Sequence, residues 1–385
     1  MTAMLRGMSE QPASDIQYID THSALTAFCN AIKDSKWLAI DTEFVREKTY
    51  YPLLCLIQIS NGEQLACIDP IAIDDLQPLF DVLYDESITK VFHAASQDLE
   101  IFAHLRDKLP APLFDTQIAA ALLGHGNQVS YAALMQSLCD VELDKSHSRT
   151  DWSKRPLSTA QINYAADDVR YLGKAYLLLR DELEQSGRAD WLKEDFRQLA
   201  DARRYRVDPA QAWQSLKGLD KLPGNNLVFA QALASWREQH AQKIDKPKRW
   251  VLRDEILLAM AEGPAASNDD LDAIGLTEKT RNRFGDEWLE LLKNAANIPE
   301  SLRPIRKRFE KPTPAQRKLA KDMMNALQGI GKQHNIDPGL LGTRKVVEQL
   351  INGDRDLPVL QGWRNEIAGQ QLLAIIERKL EQNLS

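Results

Sequence analysis

Strand-forming segments are confined to the first half of this 385-residue chain. Trp37–Val45 is apolar and β-prone. Leu53–Ser60 and Gln64–Asp69 follow, separated by the turn residues Asn61 and Gly62. The three read as an antiparallel meander. Helical periodicity then predicts Ile73–Tyr84, Ser96–Leu105, Thr116–Leu123 and Tyr131–Cys139, with short strands at Lys90–His93 and Leu113–Phe114. Ser158 or Thr159 caps a long helix running to about Gln185 and ended by Gly187. Strands mixed with helices in this way give one α/β domain with a mixed sheet.

From about Ala210 the strand signal fades, and helices broken by Gly, Pro and Asn take over. Ala241–Gly263 resembles Gly331–Gly353: each has a polar helix end, an Ile-Asp turn and an amphipathic helix closed by Gly. Two helical repeats fit the space, joined across the proline-rich stretch Pro299–Pro314. The expected boundaries are a disordered lead-in over 1–15, the α/β domain over 16–205, and helical domains over 210–296 and 303–385.

Charge divides along the same line. Residues 1–200 carry 18 Lys and Arg against 30 Asp and Glu, and residues 201–385 carry 30 against 25. An acidic half suits metal ions and a basic half suits phosphates. No apolar run approaches the roughly 18 residues of a membrane span, so no membrane role is expected. Cys29, Cys55, Cys67 and Cys139 form no Cys-x-x-Cys pair. That argues against a disulfide framework or zinc site and for a reducing cytoplasm.

Asp41-Thr42-Glu43 stands at the end of the apolar strand. Side chains alternate along a strand, so the two carboxylates converge, which is costly unless a cation joins them. Asp98 falls in the first turn of a helix, after the small residues Ala94, Ala95 and Ser96. Tyr164 shares a helix face with both Asp167 and Asp168, and spacing alone does not choose between them. Each feature has a plain structural explanation: solvated strand-end charges, an acid favoured by the helix dipole, a core tyrosine.

Order and setting together resemble the DEDD exonucleases of the tyrosine subgroup. DTEFVREKTYYPLLCLIQIS, HAASQDLEIF and NYAADDVRYL are similar to the ribonuclease D family, and the helical repeats resemble HRDC domains. The resemblance implies a ribonuclease H-like exonuclease domain followed by two all-α HRDC-like domains. It implies a 3′→5′ exoribonuclease using two divalent cations, Mg²⁺ or Mn²⁺, to release 5′-mononucleotides. It also implies Asp41, Glu43 and Asp168 at the first ion, with Asp41 bridging to a second that Asp98 supports. Tyr164 then orients the attacking water. Asp167 becomes a neighbour, and Asp115 reads as a helix N-cap.

Secondary candidates for substrate contact are Phe44, Gln58, His93, Lys154 and Arg155. In the helical half, Lys246, Lys248 and Arg249 beside Trp250 suit backbone tracking and stacking, and so does a cluster of Arg303, Arg306, Lys307, Arg308, Lys311, Arg317, Lys318 and Lys321. RNA is the expected partner, tRNA precursors included, with no obligate protein partner. The helical domains are expected to raise RNA affinity, and the first domain to keep residual activity alone. Two other readings compete. A DNA exonuclease needs the same acids. A non-catalytic nucleic-acid scaffold does not, yet all four acids and Tyr164 are present.

Overall fold

The computed structural model describes residues 15–144, 150–305 and 312–384. The expected lead-in up to Ser14, and Arg306, Lys307, Arg308 and Lys311 of the basic cluster, lie outside the described residues. Six strands form one mixed sheet: β1 (Gln17–Ile19), β2 (Trp37–Val45), β3 (Leu53–Ser60), β4 (Leu65–Ile68), β5 (Thr89–Phe92) and β6 (Leu113–Asp115). Their order is β1-β4-β3-β2-β5-β6. β3 and β4 pair antiparallel, while β1 with β4, β2 with β5 and β5 with β6 pair parallel. The meander is therefore the centre of a larger sheet. β1, three residues long, is too short to show alternation in sequence.

The helices are α1 (His22–Ile32), α2 (Gln77–Leu83), α3 (Ser96–Arg106), α4 (Thr116–Leu122), α5 (Tyr131–Cys139), α6 (Thr159–Arg170), α7 (Leu172–Gln185) and α8 (Trp191–Leu199). α2 is shorter than the predicted Ile73–Tyr84, because Asp75 accepts from the Gln77 amide and Pro78 opens the helix. The long helix predicted from Ser158 begins with a capping box between Ser158 and Gln161, but it breaks at Tyr171. Just beyond the break, Gly173 meets the Trp37 indole so closely that a Cβ there would lie 2.1 Å from it.

The described residues divide into two compact units. Of these, one takes residues 15–45, 54–144, 150–202 and 312–384, and the other takes 46–53 and 203–305. In the first unit the C-terminal helices α14 (Pro314–His334), α15 (Pro338–Leu341), α16 (Arg344–Ile351) and α17 (Gln370–Leu384) share a core with the sheet. Phe114, Leu179 and Leu192 join Met323, Leu327 and Trp363 in one buried cluster. Trp191 and Trp363 stack at 4.8 Å, and Arg364 pairs with Asp195 at 2.7 Å. The second unit packs α9 (Leu227–Ile244), α10 (Lys248–Val251), α11 (Asp254–Glu262), α12 (Asn268–Ala273) and α13 (Glu278–Ala296) around Trp213, Leu233, Leu257 and the fully buried Trp288. Tyr50 belongs to this second core. No helix among the described residues is long and apolar enough to cross a membrane.

Candidate active site

β2 is fully buried through Leu38, Ala39 and Ile40 and then carries the polar residues Asp41, Thr42 and Glu43. The alternation carries Asp41 and Glu43 to one face. From α6, Asp168 meets them: one carboxylate oxygen from each of the three lies within 4.8 Å of the others. Asp167, one residue earlier, pairs instead with Arg170 at 2.7 Å. The spacing ambiguity within α6 thus ends with Asp168 beside the strand acids.

Burial and like charges act together on this cluster. Burial first, then Asp168, Asp98 and Glu43, push Asp41 well above the usual carboxylate range. Burial pushes Glu43 up to about 8, with Asp168 and Asp98 adding to it. Asp98 and Asp168 both rise to about 7, each chiefly by burial. Such a group favours folding below its ordinary pKa near 4, and that contribution is lost as pH rises through the folded value. Between about pH 4 and 8 the metal-free cluster therefore becomes progressively unfavourable. A cation reverses this by taking ionised ligands, so its binding releases protons. Calorimetric Mn²⁺ titrations at pH 7 in buffers of different ionisation enthalpy should show release of at least about one proton per site. Affinity should climb from pH 6 to pH 8. Proton-independent binding would remove these acids from the ligand set.

Asp98 is not part of the close trio. It is buried on α3 and accepts from Thr42 Oγ1 at 2.5 Å, Thr42 being the β2 residue between the two acids. The approach to α3 is held by Asp115. Its carboxylate caps α4 at the Gln117 and Ile118 amides and also accepts from Ala94 and Ala95 at 3.2 and 2.9 Å. Ala94 has φ 60°, a left-handed value uncommon for a residue with a Cβ. Asp115 is thus the N-cap foreseen and also fixes the turn that delivers Asp98. Nothing in the spacing announced that second task.

Tyr164, half-buried on α6, stacks on Trp152 with ring centroids 6.2 Å apart. Burial, with Asp168, Glu43 and Asp41, pushes its phenol up to about 12, so it stays protonated at neutral pH. Tyr131 went unnoticed in the sequence. Its hydroxyl donates to the Asp167 carbonyl at 2.9 Å, and burial followed by the charges of Asp168 and Asp41 raises its pKa.

The secondary candidates fall in varied settings. His93 has both ring nitrogens engaged, with Thr116 Oγ1 at 2.9 Å and the Val129 carbonyl at 3.0 Å. Arg155 gives its donors to Asp69 and to the carbonyls of Cys55, Trp152 and Lys154. Gln58 is fully buried, and neither amide atom has a hydrogen-bond partner among the described residues. Phe44 is half-buried, and Lys154 is exposed beside Asp151 at 3.6 Å. In the helical unit Lys248 pairs with Glu238 at 3.2 Å and Arg249 with Glu255 at 3.0 Å. Lys246 is exposed, as is Trp250 at 63%. Arg317, Lys318 and Lys321 are exposed on α14.

A mixed sheet bearing converging carboxylates, with a tyrosine one helical turn before the last, is the arrangement that the resemblance to metal-dependent exonucleases implies. Comparison with known proteins agrees. Residues 16–184 match the 3′-5′ exonuclease family model, and residues 226–292 match the HRDC domain. The chain is 38% identical to ribonuclease D of Granulibacter bethesdensis, over 91% of this chain and 90% of that one. It is 37% identical to ribonuclease D of Escherichia coli, over 94% and 98%. The crystal structure of Escherichia coli RNase D, "an exoribonuclease involved in structured RNA processing", superposes with a TM-score of 0.83 at 35% identity, covering 94% of this chain and 99% of that one. This chain belongs to the ribonuclease D family. It is a 3′→5′ exoribonuclease with a mixed-sheet exonuclease domain and a helical HRDC domain, and its family implies use of a divalent metal. The residues fit that requirement: an all-oxygen, acidic donor set suits a hard divalent cation.

Proposed function

We propose that this protein trims structured RNA, tRNA precursors included, from the 3′ end in the cytoplasm and releases 5′-mononucleotides. Asp41, Glu43 and Asp168 would hold one divalent cation, Mg²⁺ or Mn²⁺, and Asp41 and Asp98 would serve a second. The observation that carries this reading is the trio of carboxylates within 4.8 Å, in which Asp168 adds to burial in raising the pKa of both Asp41 and Glu43. Bound cations supply charge neutralisation at phosphorus, a more acidic water and a stabilised leaving oxygen.

The protein's own groups do the rest. Thr42 orients Asp98, and Asp115 fixes the turn before it. Tyr164 Oη, protonated at neutral pH, donates a hydrogen bond to the attacking water and sets its direction; a phenol held near 12 is no base there. Exposed Lys246, Trp250, Arg317, Lys318 and Lys321 offer phosphate contacts and one stacking surface. No protein partner is required by this reading. Four free cysteines accord with a reducing compartment.

The test is a 5′-labelled RNA hairpin with a single-stranded 3′ tail, compared with DNA of the same sequence. The tail should shorten one nucleotide at a time, with RNA degraded at least about tenfold faster. Tyr164→Phe should lower kcat by about 10²-fold while leaving Mn²⁺ affinity intact. Equal rates on DNA would favour the DNA exonuclease reading.

A further inference from the structure

The chain leaves β2 at Val45, two residues after Glu43, and the next eight residues, Arg46–Leu53, belong to the helical unit. Inside that unit Tyr50 is 9% exposed and packs in the same core as Trp213, Leu233 and Trp236. Its hydroxyl donates to Glu238, itself 1% exposed, and accepts from Gln242 Nε2 at 3.1 Å. Asp245 Oδ1 accepts from the backbone amides of both Tyr50 and Tyr51, at 2.9 and 3.0 Å. Arg46 Nε closes the segment on the Tyr50 carbonyl at 3.2 Å.

Asp245 is an odd choice for its own helix. It is the C-cap of α9 with φ 47° and ψ 56°, a conformation that favours Gly or Asn. Its negative charge also opposes the helix dipole at that end. The two amides it holds account for the carboxylate. The sequence-related helix α14 ends on Asn335 in the same left-handed conformation, φ 50° and ψ 51°. Its side chain too reaches into the exonuclease sequence, donating to the Leu123 carbonyl at 3.4 Å. Both repeats thus use the residue that ends their first long helix to grip a segment of the nuclease domain's sequence.

We infer that Asp245 is a positioning residue for the nuclease reaction, pinning from within the HRDC unit the backbone that leaves the strand bearing Asp41 and Glu43. The inference rests on the metal-ligand reading of those two acids. It gives the HRDC unit a task separate from RNA affinity. A chain ending near Arg204 lacks Glu238, Gln242 and Asp245, and so loses the pin as well as the RNA-binding surface.

The full-length protein tests this with a small chromogenic phosphodiester, the p-nitrophenyl ester of thymidine 5′-monophosphate, which is too short to span beyond the catalytic site. Asp245→Gly keeps the left-handed backbone and deletes the acceptor. It should lower kcat on this ester about tenfold, less than the roughly 10²-fold cost of an ångström's misplacement. RNA affinity measured without divalent metal should change less than twofold. Asp245→Asn, which retains Oδ1, should restore most of the activity. Tyr50→Phe, which keeps the ring in the core, should lower kcat in the same direction and covers the case in which Asp245→Gly does not fold. Wild-type kcat in Asp245→Gly, with hydrogen exchange at Tyr50 and Tyr51 accelerated, overturns the inference. So does a loss confined to RNA with the ester unaffected. Asp41→Asn run alongside separates the two readings: if it too retains full activity, the ligand assignment itself has failed.

Discussion

Asp41→Asn and Asp168→Asn are each expected to lower kcat/KM on RNA by about 10³-fold or more, a loss at the upper end of what removing one preorganised electrostatic group costs. The amide keeps the shape of the side chain and removes its charge. Binding of Mn²⁺ should weaken in parallel, because the trio loses one anionic oxygen ligand. A second effect of opposite sign makes the test specific. Without metal, wild-type Asp41 and Asp168 are driven up by burial and by neighbouring acids, so at pH 8 their ionisation opposes folding. The Asn variants escape this, and metal-free they should melt higher than wild type at pH 8 but not at pH 5. An inactive variant that is also less stable at both pH values would point to misfolding. Full activity in either variant would end the assignment of these acids.

Arg155→Ala should destabilise the protein by about 3–5 kcal/mol, the usual result of leaving one partner of a buried ion pair uncompensated. The Asp69 side chain is 2% exposed and meets Arg155 Nε at 2.5 Å and Nη2 at 2.8 Å. Tyr18 and the Ile71 and Ala72 amides also donate to it, at 2.6, 2.9 and 3.3 Å. Burial alone would raise the Asp69 pKa, but Arg155 and Tyr18 more than offset it and hold it below its ordinary value. The stability from this pairing is present above about pH 4 and is lost as pH falls through the folded value. Urea denaturation at pH 7 and at about pH 2 checks both statements: the gap between wild type and variant should persist down to about pH 4 and shrink below it. Arg155→Met with Asp69→Asn should recover much of the loss, since no buried charge is then stranded. If stability were untouched and RNA affinity fell tenfold, Arg155 would instead belong to the substrate surface.

The acid motifs were legible because each lies where local rules are strong. β2 is long and uniformly apolar before Asp41, and the Ser158 capping box fixes the phase of the helix that presents Tyr164 and Asp168. The choice of Asp168 over Asp167 needed family resemblance, since both lie on the face of Tyr164. Position then separated them, with Asp167 turning to Arg170. Other features depend on tertiary contacts that no window of sequence contains. Arg155 reads as a surface cation in a loop, yet it serves an aspartate 86 residues away. Lys248 and Arg249 read as free positive charge, yet both have acidic partners. The break at Tyr171 lies in an unbroken helical pattern and accompanies the close approach of Gly173 to Trp37.

The core shared by the sheet and the C-terminal helices carries a consequence for synthesis of the chain. Phe114 and Leu192 lie in the same buried cluster as Met323, Leu327 and Trp363. At translation rates of about 5–20 residues per second, the stretch from Leu192 to Trp363 takes roughly ten to thirty seconds to appear. Throughout that interval the apolar surface destined to receive those helices has no cover. The nuclease half of a nascent chain is thus left as an open intermediate that only late-arriving segments can close. Its yield in a cell should depend on whatever shields that surface in the meantime.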